Sequence, residues 1–87
     1  MVVADILDII PHGTVVHVFQ MPIERFDTSG EPVHRQTGEV VELLASQQNY
    51  LEFEAVKLEQ RGGIMSITCK ASPAQERATI EAFYGGR

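Results

Sequence analysis

Three histidines and one cysteine are the side chains best suited to bind a metal or to act as a nucleophile. They are His12, His17, His34 and Cys69. No two of them have the spacing of paired metal ligands, such as His-x-x-x-His or Cys-x-x-Cys. Neither a helix nor a strand brings His12 and His17 onto one face. The sequence therefore predicts no metal centre and no cofactor. We expect a turn position for His12, a partly buried sheet position for His17 and a surface position for His34.

Cys69 would be a nucleophile only if a helix N-terminus or a neighbouring cation lowered its pKa. It lies three residues before Ser72, a predicted helix cap, and directly before Lys70. In an extended strand, however, Lys70 points to the opposite face, and Cys69 is in register with Met65 and Ile67. The alternation predicts that Cys69 is a small buried apolar residue.

Acidic side chains form the one suggestive pattern in the chain. Glu52 and Glu54 share a face of a predicted strand, and Glu42 is expected opposite or beside them. Paired carboxylates can perform acid–base catalysis, but they are also typical of the solvated face of an antiparallel sheet. Directly opposed like charges cost roughly 0.2–1 kcal/mol, which a cationic partner would relieve. We interpret these glutamates as part of a binding surface.

Composition limits the classes of protein to consider. The chain has 87 residues and a mass of 9.7 kDa, so we expect one domain, 1–87. Twelve acidic and seven basic side chains give a net charge of −5, which argues against nucleic-acid binding. No apolar run approaches the roughly 20 residues of a membrane span, and the N-terminus lacks the features of a signal peptide. One unpaired cysteine favours a cytoplasmic location.

The first half of the chain predicts elements of mixed type. Apolar periodicity favours a short helix over residues 2–10, and a strand with Val3, Leu7 and Ile9 on one side is the alternative. Residues 14–21 are β-branched and aromatic, and both faces are partly apolar, so they predict a central strand. Residues 22–37 are irregular, with a turn at Asp27–Gly30 and a ragged edge arm. Residues 39–45 fit a strand better than a helical turn, because they lie between two turn-like segments.

The second half contains the clearest hairpin pattern. Residues 50–59 alternate between apolar and polar, but the phase slips once, which a β-bulge near Ala55–Val56 would explain. Two glycines in the turn at 60–63 supply positive φ angles. Residues 64–71 then predict the returning strand.

A C-terminal helix follows this hairpin. Ser72 is the expected cap, Pro73 suits the first helical position, and Gln75 completes a capping box. The helix is expected to run to about Tyr84. The predicted fold class is therefore α+β: a small antiparallel sheet of about four strands, with this helix packed on one face and a short N-terminal helix. A small open β-barrel with a helical plug is the alternative.

The predicted core consists of apolar residues from most elements. They are Val16 or Val15, Val41, Leu43, Leu51, Phe53, Met65, Ile67, Ile80 and Phe83. One helix covers only one face of the sheet, which leaves Val16, Val18, Val56 and Leu58 in need of a cover. A homodimer, or a complex with a different protein partner, would bury this second face.

Two functional hypotheses follow from these patterns. The favoured one is a small non-enzymatic interaction module, with an accessory, inhibitory or regulatory role. It would bind another protein through an acidic sheet face or edge, using Glu42, Glu52, Glu54, Val56 and Leu58. The alternative is a small-molecule enzyme or ligand-binding protein with a pocket between helix and sheet. His17, Tyr50 and Cys69 would then be the polar groups of that pocket.

Overall fold

A computed structural model describes residues 1–23 and 29–85. In chain order, the elements are α1 (Val3–Ile9), β1 (Val15–Gln20), β2 (Val33–Glu39), α2 (Val40–Ala45), a 3-10 helix (Asn49–Glu52), β3 (Glu54–Arg61), β4 (Ile64–Lys70) and α3 (Pro73–Gly85).

The four strands form one open sheet in the order β2-β1-β4-β3. The α+β class and the four strands are confirmed, and the sheet is not closed into a barrel. The sheet is mixed, however, and not purely antiparallel as predicted. β1 and β2 are antiparallel, as are β3 and β4, but β1 and β4 are parallel at the centre. The long connection through β2, α2 and β3 makes this parallel pairing possible.

The helices on one side of the sheet create a single core. α1 buries Val3, Ile6 and Leu7 in the same hydrophobic cluster as Val16 and Val18 of β1. The predicted N-terminal helix and the central position of β1 are thus confirmed. We call this side the inner face. Residues of β4, α2 and the 3-10 helix complete the same core, namely Ile67, Cys69, Val40, Leu43, Tyr50 and Leu51.

Residues 39–45, predicted as a strand, are instead the end of β2 followed by α2. The backbone N–H of Glu39 donates to the side chain of Glu42 at 3.0 Å, and the Glu39 side chain accepts from the third helical residue in return. This capping box ends the strand and begins the helix. Val40 and Leu43, three residues apart, then share the buried helical face.

The predicted strand 50–59 begins later than expected. Residues 49–52 form the 3-10 helix, which buries Tyr50 and Leu51. β3 starts at Glu54, and its register with β4 shifts between Ala55 and Lys57. The predicted bulge is therefore confirmed. The hairpin turn is confirmed as well, with φ angles of 55° at Gly62 and 82° at Gly63.

α3 begins at the predicted cap. The side chains and backbone N–H groups of Ser72 and Gln75 hydrogen-bond reciprocally, at 2.7 and 3.1 Å. The helix contributes less to packing than expected, because none of its side chains is buried and Phe83 is 71% exposed. α1, α2 and the 3-10 helix already cover the inner face.

The predicted core needs two corrections and two qualifications. Val41 on α2 and Phe83 on α3 are exposed, because each lies on the solvent side of its helix. Met65 and Ile80 are only half-buried. The other predicted core positions are buried, with Val16, not Val15, as the inward residue of its pair.

The predicted arm at 22–37 contains β2, an edge strand of the sheet. Asp27 and Thr28 of the predicted turn lie outside the described residues, while Gly30 has a φ of 76°. Within residues 1–23 and 29–85, no helix combines the length and apolar character that a membrane span requires.

Candidate interaction surface

The side of the sheet opposite the core has no helix over it among the described residues. We call it the outer face. Strand alternation and the register place His17 opposite Thr37 of β2 and Ser66 of β4, and they place Phe19 beside Thr68. All three helical segments with buried side chains pack on the inner face. Within the described part of the chain, the outer face is consequently free of helices, and His17, Phe19, Ser66 and Thr68 on it are partly exposed.

A shallow groove of about 530 Å³ runs across one end of this outer face. Its lining combines apolar, hydroxyl and charged side chains, namely Phe19, Met21, Pro32, Val56, Lys57, Glu59, Ser66 and Thr68. The β-bulge explains why Val56 belongs to this set. The extra residue turns Val56 and Lys57 to the same side, and Val56 is left 53% exposed.

A histidine–threonine cluster lies next to the groove. The Thr37 hydroxyl is 2.8 Å from Nδ1 of His17 and 2.7 Å from Nε2 of His34. The His34 ring meets Phe19 edge-on, with centroids 5.5 Å apart, and the His17 ring stacks near Phe19 at 6.5 Å. One hydroxyl can donate to one neutral ring and accept from the other, so the contacts fix both ring orientations. The cluster places two imidazole rings, one hydroxyl and a phenyl ring side by side on this part of the surface.

Charged side chains flank the groove in alternating sign along β3. Glu59 bonds Lys57 at 2.9 Å and lies 3.6 Å from Arg61. The hydrogen bond from Lys57, and then its charge, lower the pKa of the Glu59 carboxyl, and the Arg61 charge acts in the same direction. All three side chains lie at the surface, so solvent screens these pairs. They give the outer face a polar rim and make little contribution to stability.

The predicted acidic surface is not assembled as one patch. Glu42 caps α2, and Glu52 belongs to the 3-10 helix and not to the strand that was predicted to carry it. Glu54 is at the start of β3, where its carboxylate pairs with the terminal amine of Met1. The three glutamates therefore serve three different local structures.

The four apolar residues that were expected to need a partner also lie in different parts of the structure. Val16 and Val18 are fully buried by the helices of the chain itself. Val56 and Leu58 remain about half exposed on edge strand β3. Leu58 pairs with buried Ile67 and so lies on the inner side, whereas Val56 lines the outer groove. Only Val56 belongs to the candidate surface.

The alternative pocket is likewise not brought together. Tyr50 and Cys69 are buried on the inner side, whereas His17 is on the outer face. Burial raises the pKa of the Cys69 thiol to about 11, and it raises the pKa of Tyr50 too. The thiol donates to the backbone oxygen of Phe19 at 3.4 Å, as a small buried side chain would. Over the described ranges, no three His, Cys, Asp or Glu side chains converge as a metal site.

Sequence reasoning missed Thr37, His34 and Phe19 as members of one surface. Alternation did place His17 with Phe19, and Ser66 with Thr68, on two separate strands. These two strand faces become one surface only through the parallel pairing of β1 and β4, for which the sequence has no local signal. No family model, curated protein or solved structure matches this chain.

Proposed function

We propose that this chain is a small non-enzymatic interaction module that binds a protein through the outer face of its sheet. The observation that carries the proposal is the outer face, over which residues 1–23 and 29–85 place no helix. The sheet is mixed, with one parallel and two antiparallel pairs, and such a sheet can present one face to a partner. The groove beside Phe19 and Val56 offers the apolar centre that protein interfaces require.

This proposal modifies the surface expected from the sequence. The binding side is the mixed apolar and hydroxyl face around the groove, and not a patch of glutamates. Glu42 and Glu52 lie outside it, whereas Val56 remains central. A small-molecule site between helix and sheet has less support, because His17 lies on the opposite side of the sheet from Tyr50 and Cys69.

Site-specific photocrosslinking in the native cell tests the proposal. A benzoylphenylalanine at Val56 reports on the outer face, and the same group at Val41 is the control. The two valines are matched in exposure, at 53% and 51%, but Val41 lies on α2, on the other side of the molecule. We expect a discrete protein adduct from position 56 and none from position 41. Absence of any adduct from position 56 would contradict the proposal.

A further inference from the structure

We infer that the edge of β3 binds an extended, acidic segment of another protein, which adds to the sheet as a further strand. β3 is the last strand in the sheet order, so one of its sides pairs with β4 and the other faces away from the sheet. We call that second side, along residues 57–61, the β3 edge. It is a different surface from the outer face, so this interaction is additional to the proposed function.

The N-terminus of the chain shows that β3 accepts a strand on this side. The backbone N–H of Ala55 donates to the carbonyl oxygen of Met1 at 2.9 Å, and the N–H of Val3 donates to the carbonyl oxygen of Phe53 at 3.0 Å. This short pairing is antiparallel and covers only the start of β3. Among residues 1–23 and 29–85, no strand pairs with the β3 edge itself. A segment placed there would continue the same row of hydrogen bonds.

The hairpin identifies the backbone groups that the β3 edge offers. Arg61 pairs with Ile64 across the two-residue glycine turn, and residues that close such a turn exchange both of their backbone hydrogen bonds. Hydrogen-bonded and non-hydrogen-bonded pairs alternate along an antiparallel ladder, and the register is regular beyond the bulge. The N–H and C=O groups of Leu58 and Gln60 therefore point away from β4, towards an incoming strand.

The length and the apolar character of β3 favour such a pairing. β3 has eight residues and is the longest strand of the sheet. The bulge, which is one of the devices that protect edge strands, lies before residue 57 and leaves the β3 edge regular. Leu58 is 52% exposed beside the core residue Ile67. An apolar residue opposite Leu58 would cover it as a cross-strand pair.

The charges along the β3 edge favour an acidic segment. Glu59 is already paired with Lys57 at 2.9 Å and lies 3.6 Å from Arg61, so this row has one positive charge in excess. The Arg61 side chain is 88% exposed. Its backbone groups face β4, so it would form a non-hydrogen-bonded pair with the incoming strand, and side chains approach closely in such pairs. The segment that fits has an acidic residue opposite Arg61 and an apolar residue opposite Leu58.

Amide hydrogen exchange, followed by NMR with a synthetic peptide, tests this interaction. The probe is acetylated and amidated Thr-Glu-Val-Ser-Val-Glu-Thr, which sets valine opposite Leu58 and glutamate opposite Arg61 when it pairs antiparallel. Exchange at the N–H groups of Leu58 and Gln60 should slow about tenfold when the peptide is at about nine times its dissociation constant. The N–H of Glu59 already faces β4 and should not change, which makes it the internal control.

Two further controls separate strand addition from other contacts. The same peptide with lysine in place of both glutamates should bind at least about threefold more weakly, because it sets cations opposite Lys57 and Arg61. Gln60→Pro removes an N–H that faces the incoming strand and should abolish the slowing at Leu58, whereas Gln60→Thr should retain it. Circular dichroism melting verifies that both variants remain folded.

The exchange rates at Leu58 and Gln60 also define what would overturn the inference. Unchanged rates at millimolar peptide would exclude strand addition at the β3 edge. Equal affinities for the glutamate and lysine peptides would exclude an acidic segment as the partner. Slowing that appears without peptide and grows with protein concentration would mean that a second copy occupies the edge, and not another protein. The crosslink at Val56 tests the outer face separately, so the two proposals can fail independently.

Discussion

The phenolic hydroxyl of Tyr50 donates to the side-chain oxygen of Gln36 at 2.6 Å. Tyr50 is almost completely buried in the 3-10 helix, and Gln36 is half-buried on edge strand β2. The guanidinium of neighbouring Arg35 lies over the same ring, 5.4 Å from its centroid, and also bonds Asn49. A single aromatic side chain thus links the 3-10 segment to the edge of the sheet.

Tyr50→Phe should lower the free energy of unfolding by about 1 kcal/mol, because the amide oxygen of Gln36 loses its donor while the ring still fills its site. Urea denaturation measures the change. A double-mutant cycle with Gln36→Ala provides the control. If the two substitutions are additive, the hydroxyl and the amide do not interact in the folded protein.

Glu42→Ala should destabilise the chain by roughly 0.5–1 kcal/mol through loss of the α2 capping box. Glu52→Ala is a suitable control, since Glu52 is exposed and should change stability by less than about 0.5 kcal/mol. Thermal melting compares the two variants. Equal melting temperatures for both variants would show that Glu42 does not stabilise the start of α2.

Ser72→Ala should destabilise the chain by about 1 kcal/mol, because the hydroxyl accepts the backbone N–H of Gln75 at 3.1 Å. Ser72→Asp retains an acceptor at the cap and should restore most of that loss. Chemical denaturation of the three proteins gives the order of stability. An Asp variant as unstable as the Ala variant would contradict a capping role for this side chain.

Stability should fall between about pH 9 and pH 11, because burial raises the pKa of the Cys69 thiol to about 11. The unfolded chain loses this proton near pH 9 while the folded chain retains it. The thiol therefore contributes its full stabilisation below pH 9, and this contribution disappears as the pH approaches 11. The loss should amount to as much as about 2 kcal/mol.

Cys69→Ala isolates this contribution from that of Tyr50, whose pKa burial also raises. Denaturation curves at pH 8, 9, 10 and 11 should show a shallower decline for the variant than for the parent chain. Iodoacetamide labelling at pH 8 should in addition be slow in the folded protein and fast in urea. Parallel declines for the two proteins would mean that the thiol does not titrate differently on folding.

Local sequence patterns correctly predicted the features that depend on residues close together in the chain. The Ser72–Gln75 capping box, the glycine pair at 62–63 and the slipped phase near Ala55 all depend on residues a few positions apart. In contrast, the prediction of a strand over residues 39–45 was wrong. β-Branched Val40 and Val41 favour strands when they are considered alone. The reciprocal bonds between Glu39 and Glu42 outweigh that preference.

The candidate surface was less predictable, since it depends on which strands become neighbours. His17, Thr37 and Ser66 come from three strands that are separated along the chain. Assuming that consecutive strands pair gave an antiparallel sheet, which would not have placed β4 beside β1. The prediction that Glu52 and Glu54 share a strand face was wrong for a related reason. β3 begins at Glu54, and Glu52 belongs to the 3-10 helix before it.

The parallel pairing of β1 with β4 also affects the order in which the strands can pair during folding. β3 and β4 are joined by a short turn at Gly62–Gly63, so this hairpin can form early and locally. β1 must instead wait for a partner almost fifty residues further along, as in the pairing of Val16 with Met65. During synthesis, β1 therefore leaves the ribosome well before β4, the strand with which it forms the central pair. Such a non-local pairing slows folding relative to a fold that is built from local contacts alone.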